Sequence, residues 1–402
     1  MSHHPAFFKF ASFAFIGIAC LVAPLSEAAP PGQTPLSSSM ILNEFFDYRN
    51  CTNQLEKAKA LGNRKIHINY FVNVLLDSQN RFRHMCIVDE TLQCQKATDY
   101  HFDTIRYFFG RCLRKAVELD LAISITPYIE HKTDGENFWR NYFYMDPTEK
   151  IDRFSYEEAT LNVILESIEN NTPETYPIEL SLQGEMGGSV AAAPGEYLRI
   201  LKKTKKRFSS REMKIGISLN FDDIFGGYPK MNQNLPAINE LMRHLDFIGI
   251  SLYKDVEVPA KVQNFRDNLD FFFQSIKKSG VKVPAMLPLR ITEVGLGGGQ
   301  PTGFDVPAVT PAQAAKNPWS GVRGFYNFSN DPWQKQDMRA YRQDFHMALL
   351  KFLAKPDISR PIIGAYLWNQ ESWDVQGFGY GFEEYGDPDV IELIKRYNSR
   401  IQ

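Results

Sequence analysis

Residues 178–186 read IELSLQGEM and residues 289–295 read LRITEVG. Each is a short, largely apolar run that closes on a glutamate near a glycine, Gly184-Glu185 in the first and Glu293-Val294-Gly295 in the second. Runs of this length without strict polar alternation are what strands buried on both faces show. An isolated carboxylate is costly to bury at the end of such a run, which makes the two glutamates the first candidates for chemistry.

Outward from these two segments the same pattern repeats. Candidate strands lie at residues 40–43, 65–72, 122–128, 178–183, 214–219, 247–251, 285–292 and 362–368. Amphipathic helical patterns fall between them at 51–61, 102–119, 156–170, 197–208, 237–244, 265–279 and 337–353. Eight strands separated by helices predict an α/β fold, a (β/α)8 TIM barrel forming a single catalytic domain. An open doubly wound sheet would carry a glycine-rich phosphate loop after its first strand, and Asn43-Glu44-Phe45-Phe46 is not one. The segment from Gly297 to Pro332, rich in Gly, Pro, Asn and aromatics, reads as a long loop on the rim of the barrel mouth.

Composition supports a large packed core: of 402 residues, 44% are hydrophobic, 13% aromatic and 23% charged. The net charge is −2, with 45 Lys+Arg against 47 Asp+Glu, so nothing electrostatic points to nucleic acid. The one basic run, KKTKKR at 202–207, fits the solvated end of a helix.

Residues 1–28 read as a secretory signal peptide: His3, His4 and Lys9 precede an apolar run from Phe10 to Val22, and small residues Ser26 and Ala28 stand before Ala29. That run, about 13 residues, is shorter than the roughly 18 needed to cross a bilayer, so a secreted or periplasmic protein without a stable membrane anchor is expected. A Pro/Ser/Gly linker at 29–38 would lead into the catalytic domain at 39–402. Lipidation at Cys20 is weakly signalled, because Gly17-Ile18-Ala19 is a poor lipobox.

Loss of the leader removes Cys20 and leaves Cys51, Cys86, Cys94 and Cys112, an even count compatible with disulfides in an exported chain. Cys86 with Cys94 would close a small loop, leaving Cys51 with Cys112, although three connectivities are open. Zinc is disfavoured, since no C-x-x-C occurs and His84 is the only histidine nearby.

In a barrel of this kind the active site sits at the carboxyl ends of the strands. The ends of strands four and seven face each other across the mouth and can hold two carboxyl groups roughly 5–5.5 Å apart, as double displacement requires. Glu293 would then be the nucleophile and Glu185 the acid/base. Tyr253, ending strand six, is placed to donate a hydrogen bond to the nucleophile; Trp368 with Tyr128, Trp139 and Trp373 would form the apolar platform for a sugar ring. His131 with Asp134, and Asn220 with Asp223, are the polar candidates for substrate contacts. Each of these also has a plain structural reading, as an ion-pair partner, a packed aromatic or a solvated loop residue. No G-x-S-x-G elbow supports a serine hydrolase, and no cofactor, metal or protein partner is implied; the substrate is a carbohydrate.

The pattern resembles the clan A retaining glycoside hydrolases, most of all the mannanase family 113, with the galactanase-type family 53 more distant. The segments that carry the resemblance are ISITPYI at 123–129, SLQGEM at 181–186, DFIGISLY at 246–253, ITEVG at 291–295 and IGAYLW at 363–368. It implies a barrel with Glu185 as acid/base, Glu293 as nucleophile, Tyr253 bonded to the nucleophile, Trp368 flooring the subsite of cleavage, and a β-linked poly- or oligosaccharide, with β-mannan the family's example, as substrate. Two departures stand out: Gly184 occupies the position where many clan members have Asn, leaving the contact to the sugar 2-hydroxyl unassigned, and Tyr128 follows Pro127 where His is more usual. The alternatives are a catalytically silent barrel that binds glycans, and an inverting enzyme with its carboxyl groups about 6.5–9.5 Å apart.

Overall fold

The apolar runs become strands that bury both of their faces: Ile178, Leu180 and Leu182 on one strand and Ile248 and Ile250 on another are at most 3% exposed, and so are their polar neighbours Ser181, Gln183 and Ser251. The computed structural model describes residues 33–42, 48–77, 81–88, 93–132, 139–300, 303–322, 331–369, 371–378 and 386–401. The expected leader at 1–28, with Cys20, lies outside the described residues.

The chain begins with β1 (Leu36–Leu42), α1 (Tyr48–Ala60) and β2 (Lys65–Leu76), then the short β3 (Phe82–Val88) and β4 (Cys94–Lys96), and α2 (Asp99–Glu118). Next come β5 (Ala122–Lys132), a 3-10 turn at Arg140–Tyr142, and a π turn at Glu157–Leu161 that runs into α3 (Asn162–Asn171). They are followed by β6 (Ile178–Gly184), α4 (Gly187–Ala192), α5 (Pro194–Arg207), β7 (Met213–Asn220) and α6 (Met231–His244). After β8 (Phe247–Ser251), α7 (Val262–Lys278) and β9 (Leu289–Val294) comes a hairpin of β10 (Gly299–Gln300) and β11 (Gly303–Pro307), then α8 (Pro311–Lys316). The last elements are α9 (Gln336–Ala354), β12 (Ile362–Leu367), a 3-10 turn at Glu371–Trp373, and α10 (Pro388–Arg400).

Strands β1, β2, β5, β6, β7, β8, β9 and β12 pair in parallel in that order, and β12 pairs back onto β1. Closure leaves the barrel without an open edge, and the helices cover its outside. The fold is the expected (β/α)8 barrel. All eight expected strands lie on barrel strands, with differences at their ends.

Two of those differences have clear causes. β1 starts at Leu36, inside the expected linker, because Ser37, Ser38 and Ser39 are buried in the sheet and the hydroxyls of Ser38 and Ser39 are bonded. Ser38 Oγ donates to Gln376 Oε1 at 2.7 Å and Ser39 Oγ to the Leu367 carbonyl at 2.5 Å. At the seventh strand, β9 starts at Leu289 rather than at 285, since Pro284 and Pro288 supply no N–H to the ladder. The rim segment after β9 is not all loop: it holds the β10–β11 hairpin and α8.

β2 runs on past the end of β1, stays parallel to β5 as far as Leu75, and on its other edge pairs antiparallel with β3, which pairs with β4. Cys86 and Cys94 are bonded across this hairpin, and Cys51 and Cys112 join α1 to α2, the pairing expected from the sequence. The basic run sits at the end of α5, where Lys203 pairs with Glu157, Lys205 with Asp246 and Arg207 with Glu169. No helix among the described residues is long and apolar enough to cross a membrane.

The barrel interior carries a fully buried cation. Arg290 of β9 donates to Ser124 Oγ at 2.9 Å, Thr126 Oγ1 at 2.7 Å and Ser218 Oγ at 3.0 Å, and also to Ser181. Its guanidinium faces the Phe247 ring at 4.3 Å. Burying a charge is tolerated only with such partners, and here they come from three strands, so the network fixes β9 against β5, β6 and β7.

Candidate active site

Glu185 immediately follows β6 and has a left-handed backbone, φ 55°. Non-glycine residues adopt this region only where their surroundings enforce it. Here Glu185 N–H donates to the Ser218 carbonyl at 2.9 Å and Met186 N–H to Gln183 Oε1 at 2.7 Å, which lock the turn. The residue before it has to be glycine: a Cβ on Gly184 would lie 2.6 Å from Thr126 Cγ2 and 2.6 Å from the Tyr128 ring. The space a side chain at 184 would need is already filled by Tyr128.

The turned backbone presents a carboxylate that is 6% exposed as a residue. Asn220 Nδ2, at the end of β7, donates to Glu185 Oε1 at 2.8 Å, and Arg140 Nη1 donates to Oε2 at 2.8 Å. Glu293, on β9 and 5% exposed, is held differently: Tyr253 OH donates to Oε2 at 3.2 Å and Tyr128 OH donates to Oε1. One carboxylate is thus loaded with a cation and an amide, the other with two phenols.

Electrostatics couple the pair. Burial first, and then the charge of Glu185, push the Glu293 carboxyl up to about 8, against the Tyr128 hydrogen bond, the Arg140 charge and the Tyr253 hydrogen bond. Burial, with the charges of Glu293 and Glu185 added, holds both Tyr128 and Tyr253 well above the ordinary phenol range, so both remain neutral donors.

The aromatic residues form a second, smaller cluster at the mouth: Phe71, Tyr128, Tyr253 and Trp368, with Trp319 and Trp373 packed on it. Trp373 meets Tyr253 at 5.7 Å and Trp368 at 5.8 Å between ring centroids. Trp368 is bound to the seventh strand's end by its N–H to the Val294 carbonyl, 2.9 Å.

Of the residues expected at the site, Glu185, Glu293, Tyr253, Trp368, Trp373, Tyr128 and Asn220 are brought together. Two of them stand otherwise than expected. Tyr128 is fully buried and is a hydrogen-bond donor to Glu293 rather than part of an open platform, because its ring is packed against Phe71 at 5.2 Å. Asn220 binds the Glu185 carboxylate. Trp139 is set edge-on to Tyr142 at 5.7 Å, and His131 to Phe143 at 6.0 Å; neither belongs to the aromatic cluster. The carboxylate of Asp223 takes the Tyr142 hydroxyl. Asp134 lies outside the described residues.

Arg140 was not among the expected residues. It lies in the Trp139-to-Phe143 turn, which docks on the β6 turn through Asn141 Oδ1, an acceptor for Gly187 N–H at 2.9 Å. The only sequence signal was a lone arginine set among Trp139, Tyr142 and Phe143, with no periodicity to show where it pointed.

No protein-family description matches the chain, and no curated protein matches it by sequence. Its structure is similar to that of the GH113 beta-mannanase of Alicyclobacillus acidocaldarius, with TM-score 0.52 and 13% identity over 92% of this chain and 98% of that one. It is similar also to a GH113 beta-1,4-mannanase in complex, with TM-score 0.52 and 12% identity over 91% of this chain and 99% of the other. A further GH113 beta-1,4-mannanase structure gives TM-score 0.51 and 14% identity over 91% and 99%. The chain therefore shares the (β/α)8 barrel fold of these mannanases along nearly its whole length.

Proposed function

We propose that this chain is a retaining glycoside hydrolase acting on a β-linked poly- or oligosaccharide, with β-mannan as the first substrate to test. The observation that carries this reading is the pair of buried carboxylates on strands four and seven, one gripped by two tyrosines and the other by an asparagine and an arginine. Glu293 attacks the anomeric carbon as the aglycone oxygen leaves, and Glu185 gives that oxygen its proton. Glu185 then takes a proton from water, whose oxygen displaces Glu293 and restores both groups. The fold shared with mannanases supports the substrate class. Trp368 and Trp373 are the surfaces on which a sugar ring would pack, while Trp139, His131 and Asp223 would contact sugar further along the mouth.

We also propose export, with 1–28 as the leader: the two disulfides fit an oxidising compartment.

A second reading is favoured by one contact. Arg140 places a cation 2.8 Å from Glu185, the group that must carry a proton to act as an acid, an arrangement that a glycan-binding barrel without activity would tolerate. Proton NMR of the first product from β-1,4-mannohexaose, followed by gluco-, galacto- and aminosugar oligomers, decides. A β-anomer formed first supports retention, an α-anomer formed first indicates inversion, and absence of hydrolysis throughout favours the silent barrel.

A further inference from the structure

Arg140 is shared between two carboxylates. Nη1 donates to Glu185 Oε2 at 2.8 Å, Nη2 donates to Glu130, and Nε donates to the Ile129 carbonyl at 3.0 Å. The guanidinium lies over the Tyr128 ring at 5.1 Å and 6.0 Å from the Phe71 ring, a cation–π seat that fixes its plane between the two acids. The Arg140 side chain is 17% exposed, that of Glu185 8%, and that of Glu130 41%. Burial works against the Arg140 charge, but Glu130, Glu185 and Glu293 outweigh it and hold the guanidinium above its ordinary value, so the cation is permanent. The groups facing Glu185 among the described residues are Arg140 from the 3-10 turn, Asn220 from β7, Glu293 from β9, Tyr128 from β5 and Tyr253 beyond β8. Arg140 is the only cation of that set.

We propose that Arg140 governs when Glu185 can act as an acid, and that Glu130 is the counter-charge that makes this possible. This rests on the reading of Glu185 as acid/base. While Arg140 is divided between the two carboxylates, its guanidinium can turn its charge onto Glu130 and so leave Glu185 free to take up and give a proton. Without Glu130, the whole cation falls on Glu185 and holds it ionised. Glu130 and Arg140 are positioning residues: they act through Glu185. The arrangement also explains how an enzyme can tolerate the ion pair that favoured the silent barrel.

The two partners have opposite signatures, which a merely structural role would not produce. The test is a carbon-13 NMR titration of glutamate carboxyls in the full chain, with Glu185 assigned from Glu185→Gln, for wild type, Glu130→Gln, Arg140→Lys and Arg140→Gln. Glu130→Gln should lower the Glu185 midpoint by about one unit, Arg140→Gln should raise it by about one to two units, and Arg140→Lys should stay near wild type. The alkaline limb of β-1,4-mannohexaose hydrolysis should move in the same directions. If Arg140→Gln does not fold, the half-exposed Glu130 still decides. An unmoved Glu185 midpoint in Glu130→Gln, or a shift upward, overturns the proposal even where hydrolysis is retained. Midpoints that move as stated in a chain that hydrolyses no glycan would uphold the charge sharing and sink the acid/base reading.

Discussion

Tyr253 OH stands 3.2 Å from Glu293 Oε2, on the opposite side of the carboxylate from the oxygen that accepts Tyr128 OH. Each hydroxyl stabilises the ionised form, against burial and the neighbouring charge of Glu185. Removing either donor should therefore raise the proton affinity of Glu293. A hydrogen bond to a charged group is worth roughly 1.5–3 kcal/mol, so Tyr128→Phe and Tyr253→Phe should each lower kcat/KM by about 10- to 100-fold. In both, the acidic limb of the pH profile should move upward by about one to two units. A limb that stays in place with activity retained would mean the phenols do not serve the carboxylate.

Stability should carry the mark of the same group. Glu293 titrates near 8 in the folded chain against an ordinary 4.5. Between those values the folded chain keeps a proton that the unfolded chain has lost, so stability falls as pH rises through that window. Glu293→Gln does not titrate. Thermal melts should show the wild-type Tm declining more steeply than the variant's from pH 5 to 8, with the variant melting higher at pH 8. Parallel Tm curves would show that Glu293 is not perturbed.

Gly184 marks a place where the barrel mouth cannot accept one carbon. Its Cβ would strike the ring of Tyr128, which is fixed by its bond to Glu293 and by stacking on Phe71. Gly184→Ala should cost about 1–3 kcal/mol in chemical denaturation and impair hydrolysis, since relief requires moving Tyr128. Wild-type stability and rate in Gly184→Ala would refute this packing.

The disulfides should differ in weight. The loop-entropy relation gives roughly 4 kcal/mol for closing the 61-residue separation of Cys51 and Cys112, and about 2.5 kcal/mol for the 8-residue separation of Cys86 and Cys94. Denaturation of Cys51→Ser/Cys112→Ser and Cys86→Ser/Cys94→Ser should show the first pair as the larger loss.

The barrel was legible because its strands bury both faces, so their sequences are apolar without alternation and easy to separate from the helices. It was misread where polarity did not mean exposure: Leu36-Ser37-Ser38 looks like the end of a linker, yet both serines are buried in β1 and Ser38 Oγ is bonded to Gln376. The C-terminal helix went unread although Asp387 caps it, accepting from the N–H groups of Asp389 and Val390, with Pro388 in the first turn, a signal present in the sequence. At the site, strand ends located Glu185, Glu293, Tyr253 and Trp368, because position along a barrel strand dictates which end faces the mouth. The same rule could not say that Tyr128 points its hydroxyl at Glu293, nor that Arg140 reaches Glu185. Those depend on how the turn at Arg140–Tyr142 docks against β6, and on Gly184 leaving room for the Tyr128 ring.

The most direct test of the central claim is covalent trapping. The protein would be incubated with 2,4-dinitrophenyl 2-deoxy-2-fluoro-β-mannoside and its β-glucoside counterpart, once a panel of oligomers has shown which sugar is hydrolysed, and then analysed by intact mass and peptide mapping. Glu293 as nucleophile predicts a mass gain of one fluoroglycosyl unit, located on the peptide that holds Glu293 and absent from Glu293→Gln. An adduct on Glu185, or none in an enzyme that turns over the same sugar, would contradict it.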